Sequence, residues 1–145
     1  MLPSALVDRS DDQPAGTSRA TVRLAQHLFT VIETRDTVAI WNMFADGGII
    51  EYPFIKLRLT DFATFDSTIG PALRALDGLS FTDLTFLPVT DPDAVIAKYH
   101  AIATVSFTGK PYIQTYINEM RVHHGKFTLY SEYFDTAVFN EAFTP

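Results

Sequence analysis

Two periods divide the chain. Before residue 76 apolar side chains recur every three or four positions, and after residue 79 they alternate singly. Val22, Ala25, Phe29 and Ile32 fall on one face of a helix that Thr17 or Ser18 can cap. Asp36 caps a second, shorter helix with Val38, Trp41 and Phe44 facing inward. It ends near Ala45-Asp46-Gly47-Gly48, where glycine supplies the positive φ of a tight exit. A short strand follows at Ile49–Phe54, halted by Pro53, which cannot donate to a central ladder. Leu57–Thr60 fits helix and strand equally. Asp61 to about Leu76 reads as a third helix with Phe62, Phe65, Ile69 and Leu73 at helical spacing, kinked or split by Pro71.

The alternating half predicts strands at Phe81–Val89, Ala94–Thr108, Tyr112–Val122 and Phe127–Phe134. Asp91-Pro92-Asp93, Gly109-Lys110-Pro111 and His123-His124-Gly125-Lys126 between them mark three consecutive hairpins. A terminal helix over Asp135–Phe143 is capped by Asp135. Residues 1–16 lack apolar periodicity and read as a mobile arm, leaving 17–145 as one domain. Helices segregated before a long meander give an α+β fold. Strands this long coil, and a curved antiparallel sheet wrapped around the helices makes a cone-shaped barrel with one open end, where pockets form.

Composition narrows the chemistry. At 47% hydrophobic, with twelve Phe, six Tyr and one Trp in 145 residues, the chain can build a core and line a cavity with rings. A net charge of −6 and no basic cluster argue against a nucleic-acid partner. The absence of cysteine removes disulfides and thiolate chemistry. No apolar run reaches the roughly 20 residues of a membrane span, and no basic, apolar leader opens the chain, so a cytoplasmic location is the default expectation. No phosphate loop, dinucleotide fingerprint or Ser/His/Asp signature is present, and adjacent His123 and His124 in a turn lack a third ligand. Chemistry without a metal or nucleotide cofactor is the expectation.

Three stretches carry a family pattern: Phe44-Ala45-Asp46-Gly47-Gly48-Ile49-Ile50-Glu51-Tyr52-Pro53, Thr108-Gly109-Lys110-Pro111-Tyr112, and Gly125-Lys126 through Ser131-Glu132-Tyr133-Phe134-Asp135. In order and spacing they resemble the nuclear transport factor 2-like superfamily, in particular its SnoaL-like branch, over residues 17–143. The resemblance implies a ketosteroid isomerase-like cone and a homodimer paired through the outer sheet face. It leaves activity open among isomerases, cyclases, dehydratases, epoxide hydrolases and non-catalytic binding modules. The closest sub-pattern resembles the PhzA/PhzB group, whose last-strand Glu matches Glu132 and whose Tyr on the preceding strand matches Tyr112. That group's helix also brings a histidine, and the matching stretch, Ile69-Gly70-Pro71, has none. Laid on ketosteroid isomerases, the catalytic Asp falls on Tyr52, the oxyanion Tyr on Leu28 and the protonated Asp on Asn118, so that triad is lost.

The resemblance aims Tyr112, Asn118 and Glu132 into the pocket, and period-2 parity allows it. Tyr112, Gln114, Tyr116, Asn118 and Met120 share one strand face, and Tyr130, Glu132 and Phe134 share another. A carboxylate flanked by Tyr130 and Phe134 on an inward face is desolvated, which suits it to proton transfer near neutral pH. On an outward face it is an ordinary solvated or interface-paired Glu. Tyr112, Tyr116 and Tyr130 can offer phenol donors to a ligand or simply pack. Gln114 and Asn118 need partners if buried, in a ligand or in each other. Tyr52 is a candidate for the pocket rim and Trp41 for its wall, whereas His27 and His100 read as structural. These residues fit an acid/base enzyme in which Glu132 moves a proton on a hydrophobic, carbonyl-bearing substrate held by Tyr112 and Asn118. They fit equally a non-catalytic ligand carrier or a dimerisation module.

Overall fold

The computed structural model describes residues 16–145, so the expected arm, Gly16 apart, lies outside the described residues. Ser18 caps α1 (Arg19–Glu33) by accepting from the Thr21 amide, and Asp36 caps α2 (Thr37–Trp41) in the same way through Ala39. α2 stops earlier than its apolar pattern suggests. Val38 is 54% exposed rather than inward, and Ile40 takes the buried position. Phe44 already belongs to β1 (Phe44–Tyr52), because the register of β1 slips between Phe44 and Ile49. Gly48 sits in that irregularity, where a Cβ would lie 2.9 Å from the Ala45 carbonyl oxygen and 3.0 Å from that of Phe127.

Pro53–Ile55 forms a single 3-10 turn, and the ambiguous segment becomes the edge strand β2 (Leu57–Leu59). Pro71 splits the third helix into α3 (Phe62–Thr68) and α4 (Gly70–Arg74), since its ring removes a donor and crowds the preceding turn. The meander is β3 (Leu76–Pro88), β4 (Ala94–Val105), β5 (Pro111–His123) and β6 (Lys126–Phe134), joined by the three expected hairpins. α5 (Thr136–Phe143) closes the chain, capped by Asp135.

One sheet holds all six strands in the order β2-β1-β6-β5-β4-β3. It is mixed and open rather than a closed antiparallel barrel, because β1 runs parallel to β6 and both β2 and β3 keep a free edge. Two irregularities in β3, at Asp77/Ser80 and Thr82/Thr85, coil it over α1. There Phe29 packs against Phe81 at 5.2 Å and Tyr99 at 4.5 Å. The core lies between the concave sheet face and α1. Among the described residues no helix is long and apolar enough to cross a membrane.

Candidate functional site

β5 alternates strictly, with Tyr112, Gln114, Tyr116 and Asn118 buried and the residues between them outward. The neighbouring strand makes room for them. Ala103, Ala101 and Ala97 of β4 stand directly opposite Tyr112, Gln114 and Asn118. Small side chains across the ladder let large polar ones lie inward without clash.

Between this face and the helices lies a cavity of about 300 Å³, at the lower end of the range for ligand pockets. Leu28 and Ile32 of α1, Phe65 of α3, Leu73 of α4 and Ile69 at the break between those two helices form its apolar side. The sheet contributes Tyr52, Tyr112, Tyr116, Tyr130 and Glu132. Ile55, Thr68 and Asn140 belong to the lining and are exposed, so they mark the rim.

Glu132 stands on β6 directly opposite Asn118, on a strand flanked on both sides. It is half-buried and lines the cavity. Oε1 accepts from the Tyr130 hydroxyl at 2.6 Å and the Tyr99 hydroxyl at 2.9 Å. Among the described residues both hydrogen bonds go to Oε1 and none engages Oε2. Desolvation pushes the carboxyl up to about 7, and the two phenol bonds, which favour the charged form, oppose that rise. Burial and the facing carboxylate raise Tyr52, Tyr99, Tyr116 and Tyr130 well above the ordinary phenol value. Tyr112, also raised mainly by burial, goes to about 12. These five phenols therefore stay protonated donors at neutral pH.

Two hydrogen-bonded chains start from buried amides on β5. Asn118 Nδ2 donates to the Tyr99 hydroxyl at 3.1 Å, which directs the Tyr99 proton to Glu132. Asn118 Oδ1 is left buried without a partner among the described residues. Gln114 Nε2 donates to the Tyr112 hydroxyl at 3.2 Å, and the Tyr112 and Tyr116 hydroxyls are 2.8 Å apart. Two phenols own two protons, and the bond between them uses one. The second has no acceptor among the described residues, although both phenols line the cavity.

Glu132, Tyr112, Tyr116, Tyr130 and Tyr52 thus converge on one space. Gln114 and Asn118 do not reach it. Both are fully buried one layer behind the wall, bonded to the tyrosines rather than open to a ligand. Gln114 also holds the start of α5, donating to the Asp135 carbonyl at 2.9 Å and accepting from its amide at 3.0 Å. Trp41 likewise stands behind the cavity, stacked on Phe44 and Phe65, which line it. His100 pairs with Asp83 on the outer face, His27 is exposed on α1, and His123 and His124 occupy the exposed turn. No metal-holding cluster exists among the described residues. Tyr99 is the participant missed in the sequence. Its signal was a lone phenol among Val95, Ala97, Ala101 and Ala103, on the strand face opposite His100.

No protein-family model matches the chain. YesE of Bacillus subtilis, named an uncharacterized protein, is 36% identical over 113 residues, covering 75% of this chain and 77% of that one. The uncharacterized PhzA/B-like protein PA3332 of Pseudomonas aeruginosa is 24% identical over 112 residues, covering 75% and 79%. A proposed isomerase from Bacillus subtilis superposes with a TM-score of 0.77 at 23% identity, over 86% of this chain and 92% of that one. An NTF2-like protein from Burkholderia xenovorans gives 0.69 at 16% identity, over 88% and 98%. A protein of ketosteroid isomerase-like fold from Catenulispora acidiphila, solved with trimethylamine, gives 0.71 at 12% identity, over 89% and 96%. The chain belongs to one family with YesE and has the nuclear transport factor 2-like fold.

Proposed function

We propose that the protein is an acid/base enzyme that moves a proton on a hydrophobic, carbonyl-bearing small molecule, with Glu132 as the proton carrier. The observation that supports this most is a cavity-facing carboxylate with one oxygen engaged by two phenols and the other bare. Oε2 of ionised Glu132 removes a proton from the carbon next to a carbonyl, giving a neutral carboxyl and an enolate. The unclaimed proton of the Tyr112–Tyr116 pair hydrogen-bonds the carbonyl oxygen as its negative charge grows. Glu132 then returns the proton to another atom of the enolate, which regenerates the carboxylate and yields an isomer. Cyclisation or dehydration begins from the same enolate. This assignment gives the Tyr112–Tyr116 pair the role that sequence reasoning shared between Tyr112 and Asn118.

Exchange of α-protons for deuterium tests the reading without knowledge of the substrate. Aryl ketones such as methyl naphthyl ketone and tetralone are incubated with the protein in deuterated buffer and followed by NMR. The wild type is expected to exchange them above background and Glu132→Gln to lose at least about a hundredfold. Ketones that bind without any protein-dependent exchange would instead support the carrier reading.

We also infer a homodimer through the outer sheet face. Ile102 stands directly opposite Ile113, and Ile117 opposite Tyr133. All four are exposed, at 48%, 63%, 45% and 37%, and they form an apolar strip across β4, β5 and β6.

A further inference from the structure

Among the described residues the cavity lining holds no positive charge. Its polar atoms belong to phenols, Thr68, Thr136, Asn140 and Glu132, and no Lys, Arg or His is among its residues. Strand parity is the reason. The cations of the sheet lie on its other face or in its turns, each turned elsewhere. Lys98 is exposed, and His100 pairs with Asp83. Arg121 pairs with Glu119 and Asp91, and Lys110 with Glu141. Lys126 donates to the Asn42 carbonyl.

An anionic ligand group would sit beside ionised Glu132 in a largely apolar space with no counter-ion to offset it. A neutral carbonyl meets no such opposition, and it finds a phenol proton that nothing else accepts. We propose that this cavity takes uncharged hydrophobic ligands with a carbonyl end and rejects their carboxylate or phosphate counterparts. The proposal deepens the function given above and rests on its reading of the cavity. The reaction that supplies the substrate must accordingly deliver it free of acid groups, as decarboxylation of a keto acid or oxidation of a neutral alcohol does.

Two probes that share a ring test it: methyl naphthyl ketone and naphthoate substituted at the same carbon, titrated calorimetrically at pH 8 into the wild type and Glu132→Gln. The groups facing Glu132 are the phenols Tyr52, Tyr99, Tyr112, Tyr116 and Tyr130, all protonated at that pH, so Glu132 alone changes charge. The ketone is expected to bind at least about tenfold tighter than naphthoate to the wild type. In Glu132→Gln the gap should close mainly because naphthoate gains. The wild-type gap should also narrow at pH 6, a measurement that needs no variant. Naphthoate binding as tightly as the ketone overturns the proposal, as does a gap indifferent to both Glu132→Gln and pH, or failure of both probes to bind. Ketone exchange catalysed with equal affinity for naphthoate would sink this inference alone. Charge selection without exchange would sink the proton-transfer reading alone.

Discussion

Tyr99 and Glu132 meet across an intervening strand: the phenol on β4 reaches past β5 to donate to Oε1 on β6 at 2.9 Å. This bond favours the ionised carboxylate, so its removal has a definite sign. In Tyr99→Phe the Glu132 carboxyl should rise above its value of about 7. The midpoint of the pH dependence of exchange should move to more alkaline pH. The variant should also lose about 1–3 kcal/mol of stability, because Asn118 Nδ2 is left buried without its acceptor. NMR titration of the Glu132 carboxyl carbon checks the direction, and an acid shift would refute the assigned network.

Glu132 also sets how stability depends on pH. The folded protein keeps this proton up to about pH 7, whereas an unperturbed Glu releases it near 4.5. Between these values the folded state binds more protons, so the contribution is complete below pH 4.5 and is lost as pH rises through 7. The interval amounts to about 3 kcal/mol at roughly 1.4 kcal/mol per pH unit. Asp61 and Asp66, whose hydrogen bonds lower their carboxyls, act in the opposite sense at more acid pH. Wild-type thermal stability should therefore fall from pH 5.5 to pH 8.5, while Glu132→Gln stays nearly flat and overtakes it at the alkaline end. Parallel melting curves for the two proteins would contradict this.

Much of this arrangement was legible before the fold was seen, and the remainder has a common cause. The capping residues Ser18, Asp36 and Asp135, the break at Pro71 and the three hairpin turns are local signals, and each acts where it stands. Parity grouped Tyr112 with Tyr116 and Tyr130 with Glu132, the resemblance aimed Tyr112 and Glu132 inward, and all four line the cavity. Parity tells face and not depth, however. It could not separate Tyr112, which lines the cavity, from Gln114 two residues on, which lies behind it. That difference depends on how the coiled sheet meets α5. Nor could a local pattern show that β1 pairs parallel with β6, since the partners lie about eighty positions apart.

Gln114 carries a mechanical prediction. Its side-chain amide makes both bonds to the Asp135 backbone, one to Tyr112 and one to the Thr115 amide at 2.9 Å. Gln114→Leu keeps the bulk and removes all four. A loss of about 2–5 kcal/mol is expected, from several buried groups left unpaired. The exchange protection of residues 136–143 should fall before that of β4 and β5. Uniform loss of protection along the chain would show that the amide does not specifically hold α5.

The apolar strip on the outer face gives the oligomeric prediction. Ile117→Lys places a charge at its centre, beside Tyr133 and two residues from Glu119. Sedimentation should show the wild type as a dimer and the variant as a monomer whose helical and sheet content is unchanged. A wild type that sediments as a monomer at all concentrations would end the dimer reading.

The pairing of β1 with β6 has a kinetic consequence. The strand that bears Glu132 is the last of the six to be synthesised, and it bridges Phe44–Glu51 to the end of the meander. Until residues 126–134 leave the ribosome, β1 has only the three-residue β2 beside it, and the concave face lacks Glu132. Closing so long a loop is slow, and contacts of such sequence separation form late. The candidate site and the continuity of the sheet are therefore completed in one late step.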